Sequence, residues 1–142
     1  MKSFPFRSSI LPEGFKFPRG YEDLAQSGNW PDLAPWSFLA SDMPLSLSLY
    51  AGMLLNFPTK PLIPFARICD LAGFYNDGYV VLACFDGADT LGQPRVRIYD
   101  FGRPKNSPWD NLSCANFEEW ICAAKKESAS YKAQQAEFEE HK

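Results

Sequence analysis

The run Tyr79-Val80-Val81-Leu82-Ala83-Cys84-Phe85 carries no charged or strongly polar side chain and is rich in β-branched and aromatic residues. A half-exposed strand alternates between apolar and polar positions, so a run without a polar side predicts a central strand covered on both faces. That requirement constrains the remainder of the chain. At 142 residues it has room for one domain, and this domain must supply cover for two sides of a single sheet.

Neighbouring segments supply the rest of a sheet. Asn76-Asp77-Gly78 is a turn sequence that tolerates positive φ, as at a tight hairpin. Pro64 to Cys69 is short and apolar and predicts a strand. Arg95 to Phe101 alternates strictly, with Val96 and Ile98 facing one way and Arg95, Arg97 and Tyr99 the other, as on a half-exposed strand. Together they predict an antiparallel meander.

Helices are expected on either side of it. The first twenty residues hold Pro5, Pro12 and Pro18 among Phe4, Phe6, Phe15 and Phe17, which predicts an extended segment pinned by its rings. Tyr21 to Gln26 predicts a helical turn stopped near Gly28. Leu45 to Phe57 predicts a helix with Pro44 in its first turn. Asn116-Phe117-Glu118-Glu119 has the spacing of a capping box, and Phe117, Trp120, Ile121 and Ala124 share one helical face. The pattern weakens after Lys126, so residues 127–142 are expected to form a polar, frayed tail. The fold class is thus α+β: one domain over residues 1–142, an antiparallel meander flanked by helices, with the C-terminal helix packed on the sheet.

Charge and residue inventory narrow the function. Fourteen Lys and Arg against seventeen Asp and Glu give net −3, and the basic residues are scattered. A direct nucleic-acid binder carries a basic stripe, so none is expected here. The acids cluster instead: Asp70, Asp77, Asp86 and Asp89 fall in a stretch, Asp70 to Pro94, that contains no Lys or Arg. Such a surface attracts a basic partner and repels phosphate. The longest apolar candidate for a membrane span, Leu45 to Phe57, is interrupted by Ser46, Ser48, Gly52 and Asn56, and no secretory signal is read at Met1 to Arg7. A soluble, cytoplasmic protein is expected.

Catalytic machinery is not expected. The single histidine, His141, lies in a charged tail, which leaves Ser-His-Asp and Cys-His chemistry without an ordered imidazole. Cys69, Cys84, Cys114 and Cys122 have no metal-ligand spacing, and Cys69 and Cys84 read as small buried hydrophobes. No phosphate loop, metal set or cofactor site is present in the pattern. Asp86 and Asp89 beside Gly87 have the composition of turn formers as well as of a partner contact. Trp36 and Trp120 are expected in the core, while Trp109, between Pro108 and Asp110, is expected to be exposed.

The order of Pro35-Trp36-Ser37-Phe38-Leu39, Leu62-Ile63-Pro64-Phe65-Ala66-Arg67, Val81 to Gly87, Val96 to Phe101 and Asn116 to Trp120 resembles the SUKH superfamily, over roughly Leu33 to Lys126. This group contains bacterial immunity proteins and the globular domain of fungal cell-wall-assembly regulators. The sequence departs from its bacterial relatives at Asn76-Asp77-Gly78-Tyr79, where an acidic pair often stands. The resemblance implies an α+β fold without enzymatic activity that neutralises a cognate toxin, often a nuclease, by binding it. The regulatory relatives imply an alternative, a scaffold domain for an endogenous protein. Joined to the charge reading, it nominates Asp70, Asp77, Asp86 and Asp89 as a steering patch for a basic toxin domain, with Tyr79 or Trp109 as aromatic anchor. The chain itself is expected to be a monomer or weak dimer.

Overall fold

The computed structural model describes residues 10–70, 72–73, 75–103 and 107–140. The helices are α1 (Arg19–Ser27), α2 (Met43–Asn56) and α3 (Phe117–Glu140). The strands are β1 (Trp36–Phe38), β2 (Leu62–Ile68), β3 (Val81–Asp86), β4 (Val96–Asp100) and β5 (Ser113–Cys114). They form one antiparallel sheet in the order β1-β2-β3-β4-β5, the expected meander, extended by a short strand at each edge. Among the described residues no helix is long and apolar enough to cross a membrane.

Local chemistry explains where the elements begin and end. Asp42 accepts a hydrogen bond from the Leu45 backbone N–H at 3.1 Å and starts α2, with Pro44 in the first turn. Asn116 does the same for α3, its side chain accepting from the Glu119 N–H at 2.9 Å. Gly28, at φ 70°, closes α1 by donating to the Leu24 carbonyl at 2.9 Å. Pro64 lies inside β2, an internal strand, and cannot donate to a ladder. The register shifts between Pro64 and Ala66 to accommodate it, a bulge that leaves Phe65 as the extra residue.

β3 is buried at every position from Val81 to Asp86, and its two faces meet different cover. Val81, Ala83 and Phe85 join Phe65, Phe117, Trp120 and Ala124 in one cluster, against which Phe15, Phe17 and Tyr21 pack. Phe65 and Phe85 stack at 4.1 Å between centroids. Leu82 and Cys84 join Leu62 and Met53 in a second cluster, with Leu49, Phe57, Tyr99 and Trp109 against it.

Several expectations need correction. The Arg97 and Tyr99 side of β4 is not an open face. Leu82 pairs with Tyr99 and Cys84 with Arg97, so this side shares an apolar surface that needs cover, and Phe57 and Trp109 supply it. Asn76-Asp77-Gly78 does adopt left-handed φ (54°, 55° and 82°), but as a 3-10 turn within the long connection between β2 and β3, not as a tight hairpin. Residues 127–140 continue α3 instead of fraying. Cys84 is buried and its thiol is pushed up by that burial, whereas Cys69, just past the end of β2, is only half-buried. Phe4, Phe6 and His141 lie outside the described residues.

Candidate functional site

The antiparallel register separates the four predicted aspartates. Ile68 pairs with Val81, and Leu62 with Asp86. Asp70 and Asp77 therefore flank the start of β3, while Asp86 and Asp89 lie at its far end, roughly 17 Å away at a strand rise of about 3.3 Å per residue. The single steering patch expected from the sequence does not exist as one surface.

The far pair is committed to the fold. Asp86 is 8% exposed, and its Oδ2 accepts from Arg97 Nε at 2.8 Å while Oδ1 accepts from the Ala88 N–H at 3.0 Å. Gly87 beside it must be glycine, since a Cβ there would lie 2.6 Å from the Pro61 carbonyl oxygen. Asp89 accepts from the backbone N–H groups of Leu91 (3.2 Å) and Arg95 (3.3 Å), which folds the β3–β4 loop. Both are turn formers. Trp109 is no free anchor either. It is half-buried, edge-on to Phe57 at 5.1 Å, with Lys60 and Arg97 lying 5.5 and 5.7 Å from its ring centroid.

The near end is different. Asp70 shapes the loop, accepting from the Ala72 N–H (3.0 Å) and the Tyr75 N–H (2.8 Å). That loop delivers Asp77 and Tyr79 to the surface, Tyr79 being 55% exposed. The base of the Tyr79 ring lies over Gly102, where a Cβ would come within 3.2 Å of it. Asn76 bridges this turn to the sheet, donating through Nδ2 to Asp100 Oδ1 at 2.9 Å and to the Tyr79 carbonyl at 3.2 Å.

Beside them opens a cleft of about 340 Å³ between α3 and the sheet, lined by Trp36, Tyr75, Asp100, Trp120 and Glu127 among others. Glu127 organises its wall: one carboxylate oxygen accepts from the Trp36 indole N–H and the other from the Tyr75 hydroxyl. Burial, the hydrogen bond to Glu127 and the charges of Glu127 and Asp100 push the Tyr75 phenol well above its usual range, so it remains a donor. Cys114, also lining the cleft, has its thiol pushed up by burial and by Glu119, with Arg95 opposing, which keeps it from being a thiolate at neutral pH.

The sequence reading missed Tyr75, Asp100 and Glu127. A signal for Glu127 was present, because Phe117, Trp120, Ala124, Ser128 and Tyr131 keep helical spacing past Lys126 and so carry the helix through it. No comparable local signal marks Asp100. The near end thus combines exposed and half-buried carboxylates with aromatic rings, an arrangement suited to recognising a cationic surface. No protein-family model, no curated protein and no solved structure matches the chain.

Proposed function

We propose that this chain is a non-enzymatic protein-binding module that engages a basic protein through the end of the sheet bearing Asp77, Tyr79, Asp100 and Glu127. In a bacterial cytoplasm its role is immunity, the neutralisation of a cognate toxin domain, often a nuclease. The observation that carries the reading is the exposed Tyr79 ring near these carboxylates, within a stretch of sequence free of Lys and Arg. An amphipathic ring near the exposed Asp77 carboxylate has the composition of a binding anchor. The resemblance of the chain to the SUKH superfamily points to the same role.

The physical logic is competition for a cationic surface. A nuclease must present Lys and Arg to the phosphate backbone, and an acidic protein that occupies those groups excludes the substrate. Long-range attraction speeds encounter, while the desolvated ring slows release. Coexpression with a candidate basic toxin domain tests the role. Restored host growth and a 1:1 complex that weakens in high salt are expected. A folded protein giving neither rescue nor complex overturns the immunity role and favours the regulatory scaffold.

A further inference from the structure

The cleft between α3 and the sheet opens where α3 presents two small side chains, Ala123 and Ala124, between Trp120 and Glu127. Its floor is a row of cross-strand neighbours. Trp36 pairs with Ile68, Ile68 with Val81, and Val81 with Asp100, so all four stand on the face that α3 covers. At about 4.8 Å per strand, Trp36 and Asp100 bound a span on the order of 14 Å between backbones. Tyr75 and Leu112 reach in from flanking loops, Leu112 being 85% exposed. A space of about 340 Å³ is at the small end of ligand pockets and suits a single group.

The polar groups on this wall are unequal. Trp36 and Tyr75 spend their N–H and O–H on Glu127, and Asn76 spends its amide on Asp100 and the Tyr79 carbonyl. What remains is acceptor capacity. Each Glu127 oxygen has taken one hydrogen bond and has room for another. Asp100 Oδ1 takes those of Asn76 and the Gly102 N–H, while Oδ2 has no donor among the described residues. The Tyr75 oxygen, held protonated, keeps an acceptor lone pair. Among the described residues the ion pairs are Arg97–Asp86 and Lys132–Asp32, so neither Glu127 nor Asp100 is matched by a cation. Arg95 lies at the Ser113 end and donates to that hydroxyl at 3.1 Å, not to either carboxylate. Glu127 and Asp100 both act as negative charges on the Tyr75 phenol, which places them about the same ring.

We propose that this cleft receives the guanidinium of one arginine side chain from the basic partner. The inference rests on the binding reading above and names its anchor. A wall of acceptors whose donors are spent fits a donor-only cation, Arg or Lys. The rings of Trp36, Trp120 and Tyr75 decide between the two. A flat, weakly hydrated guanidinium stacks on aromatic faces and divides five donors among several acceptors, whereas an ammonium holds its water more tightly. The mouth adjoins the exposed Tyr79 ring, since a Cβ at Gly102 would lie 3.1 Å from Asp100 Oδ1 and 3.2 Å from Tyr79. The partner's surface can therefore cover Tyr79 and Leu112 while its arginine fills the cleft.

The probe is N-acetyl-arginine amide, titrated into the isotope-labelled full chain beside its lysine and neutral citrulline analogues. The Trp36 indole N–H, bonded to Glu127, should shift saturably with a Kd on the order of 1–10 mM. The lysine analogue should bind at least about threefold more weakly, and citrulline should give no saturable shift. Glu127→Gln should weaken arginine binding about tenfold. That change also disturbs the Trp36–Tyr75 wall, so Asp100→Asn, which keeps Oδ1 for Asn76 and Gly102, serves as a second variant and should weaken it about fivefold. Asp89→Asn, at the far end of β3, should change nothing. A Trp36 signal unmoved by arginine overturns the inference. So does an equal response to citrulline or to lysine, or binding that survives both carboxylate changes. A candidate basic toxin domain added to the same labelled chain separates this inference from the broader reading. Binding of that domain at Tyr79 with Trp36 unmoved removes the arginine anchor and keeps the interface. Arginine amide in the cleft with no basic domain bound overturns the partner as its source and assigns the cleft to a free guanidino compound.

Discussion

Replacing Arg97 with Met removes the guanidinium from a carboxylate that has little other compensation. Asp86 lies 2.8 Å from Arg97 Nε, and the two side chains are only 11% and 17% exposed, respectively. Breaking a buried pair from one side costs about 3–5 kcal/mol, because the remaining charge is left unpaired. Asp86 keeps the Ala88 N–H at 3.0 Å and some contact with water, which places the expected loss near the lower end, at about 3 kcal/mol. Loss of the Arg97 contact with the Trp109 ring adds about 0.5 kcal/mol. Met keeps the apolar stem that packs beside that ring, so the change isolates the charge. Urea denaturation followed by tryptophan fluorescence should show the loss, and the thermal midpoint should fall by roughly 10 °C at about 2–4 °C per kcal/mol. Adding Asp86→Asn should recover at least about 1.5 kcal/mol, since no charge is then buried and the Ala88 contact survives. A loss below about 1 kcal/mol for Arg97→Met would refute the reasoning: the pair would be hydrated and Asp86 available to a partner after all.

Further outcomes follow from the same contacts. Phe85→Ala removes the ring stacked on Phe65 at 4.1 Å, in contact with Tyr21 and Phe117, and should cost about 3–5 kcal/mol in urea. A loss under about 1 kcal/mol would mean that the Phe85 face of β3 does not carry a packed core. Asn116→Ala removes the cap on the Glu119 N–H and should cost about 1 kcal/mol by the same assay, whereas an unchanged midpoint would show the cap to be idle. The phenols of Tyr21, Tyr50 and Tyr75 are pushed up, chiefly by burial. The folded state therefore holds protons that the unfolded state releases above about pH 10, and stability is full below that pH and lost as pH rises toward the folded-state values. Tyr75→Phe should flatten this alkaline decline, and an unchanged slope in chemical denaturation between about pH 9 and 11 would contradict the assignment.

What could be read in advance was local. The Asn116 cap, the Gly28 stop and the Pro44 start each depend on residues within a few positions and stand where the pattern put them, while the strand expected over Tyr79–Phe85 begins at Val81 and leaves Tyr79 exposed. The acidic stretch misled because contiguity in sequence is not contiguity in space. A buried strand carried Asp86 away from Asp77, and the register that brought Arg97 to Asp86 depends on which strands pair. Trp109 looked exposed because Pro108 and Asp110 flank it, yet Leu82 and Cys84 leave an apolar face that its ring helps cover. Glu127 escaped notice because its charged neighbours suggested a solvated tail. Its partners, Trp36 and Tyr75, are 91 and 52 residues away.

The central claim is that partner binding belongs to the Tyr79 end of the sheet. Titration of a candidate basic toxin domain, the proposed partner, against Asp77→Asn/Tyr79→Ala and against Asp89→Lys tests it most directly. Asn is chosen at position 77 because it tolerates the left-handed backbone there. The double substitution should weaken binding at least about tenfold, while Asp89→Lys, at the far end of β3, should bind as the wild type does. Loss of binding in Asp89→Lys with full affinity in the double variant would place the interface at the opposite end and contradict the account.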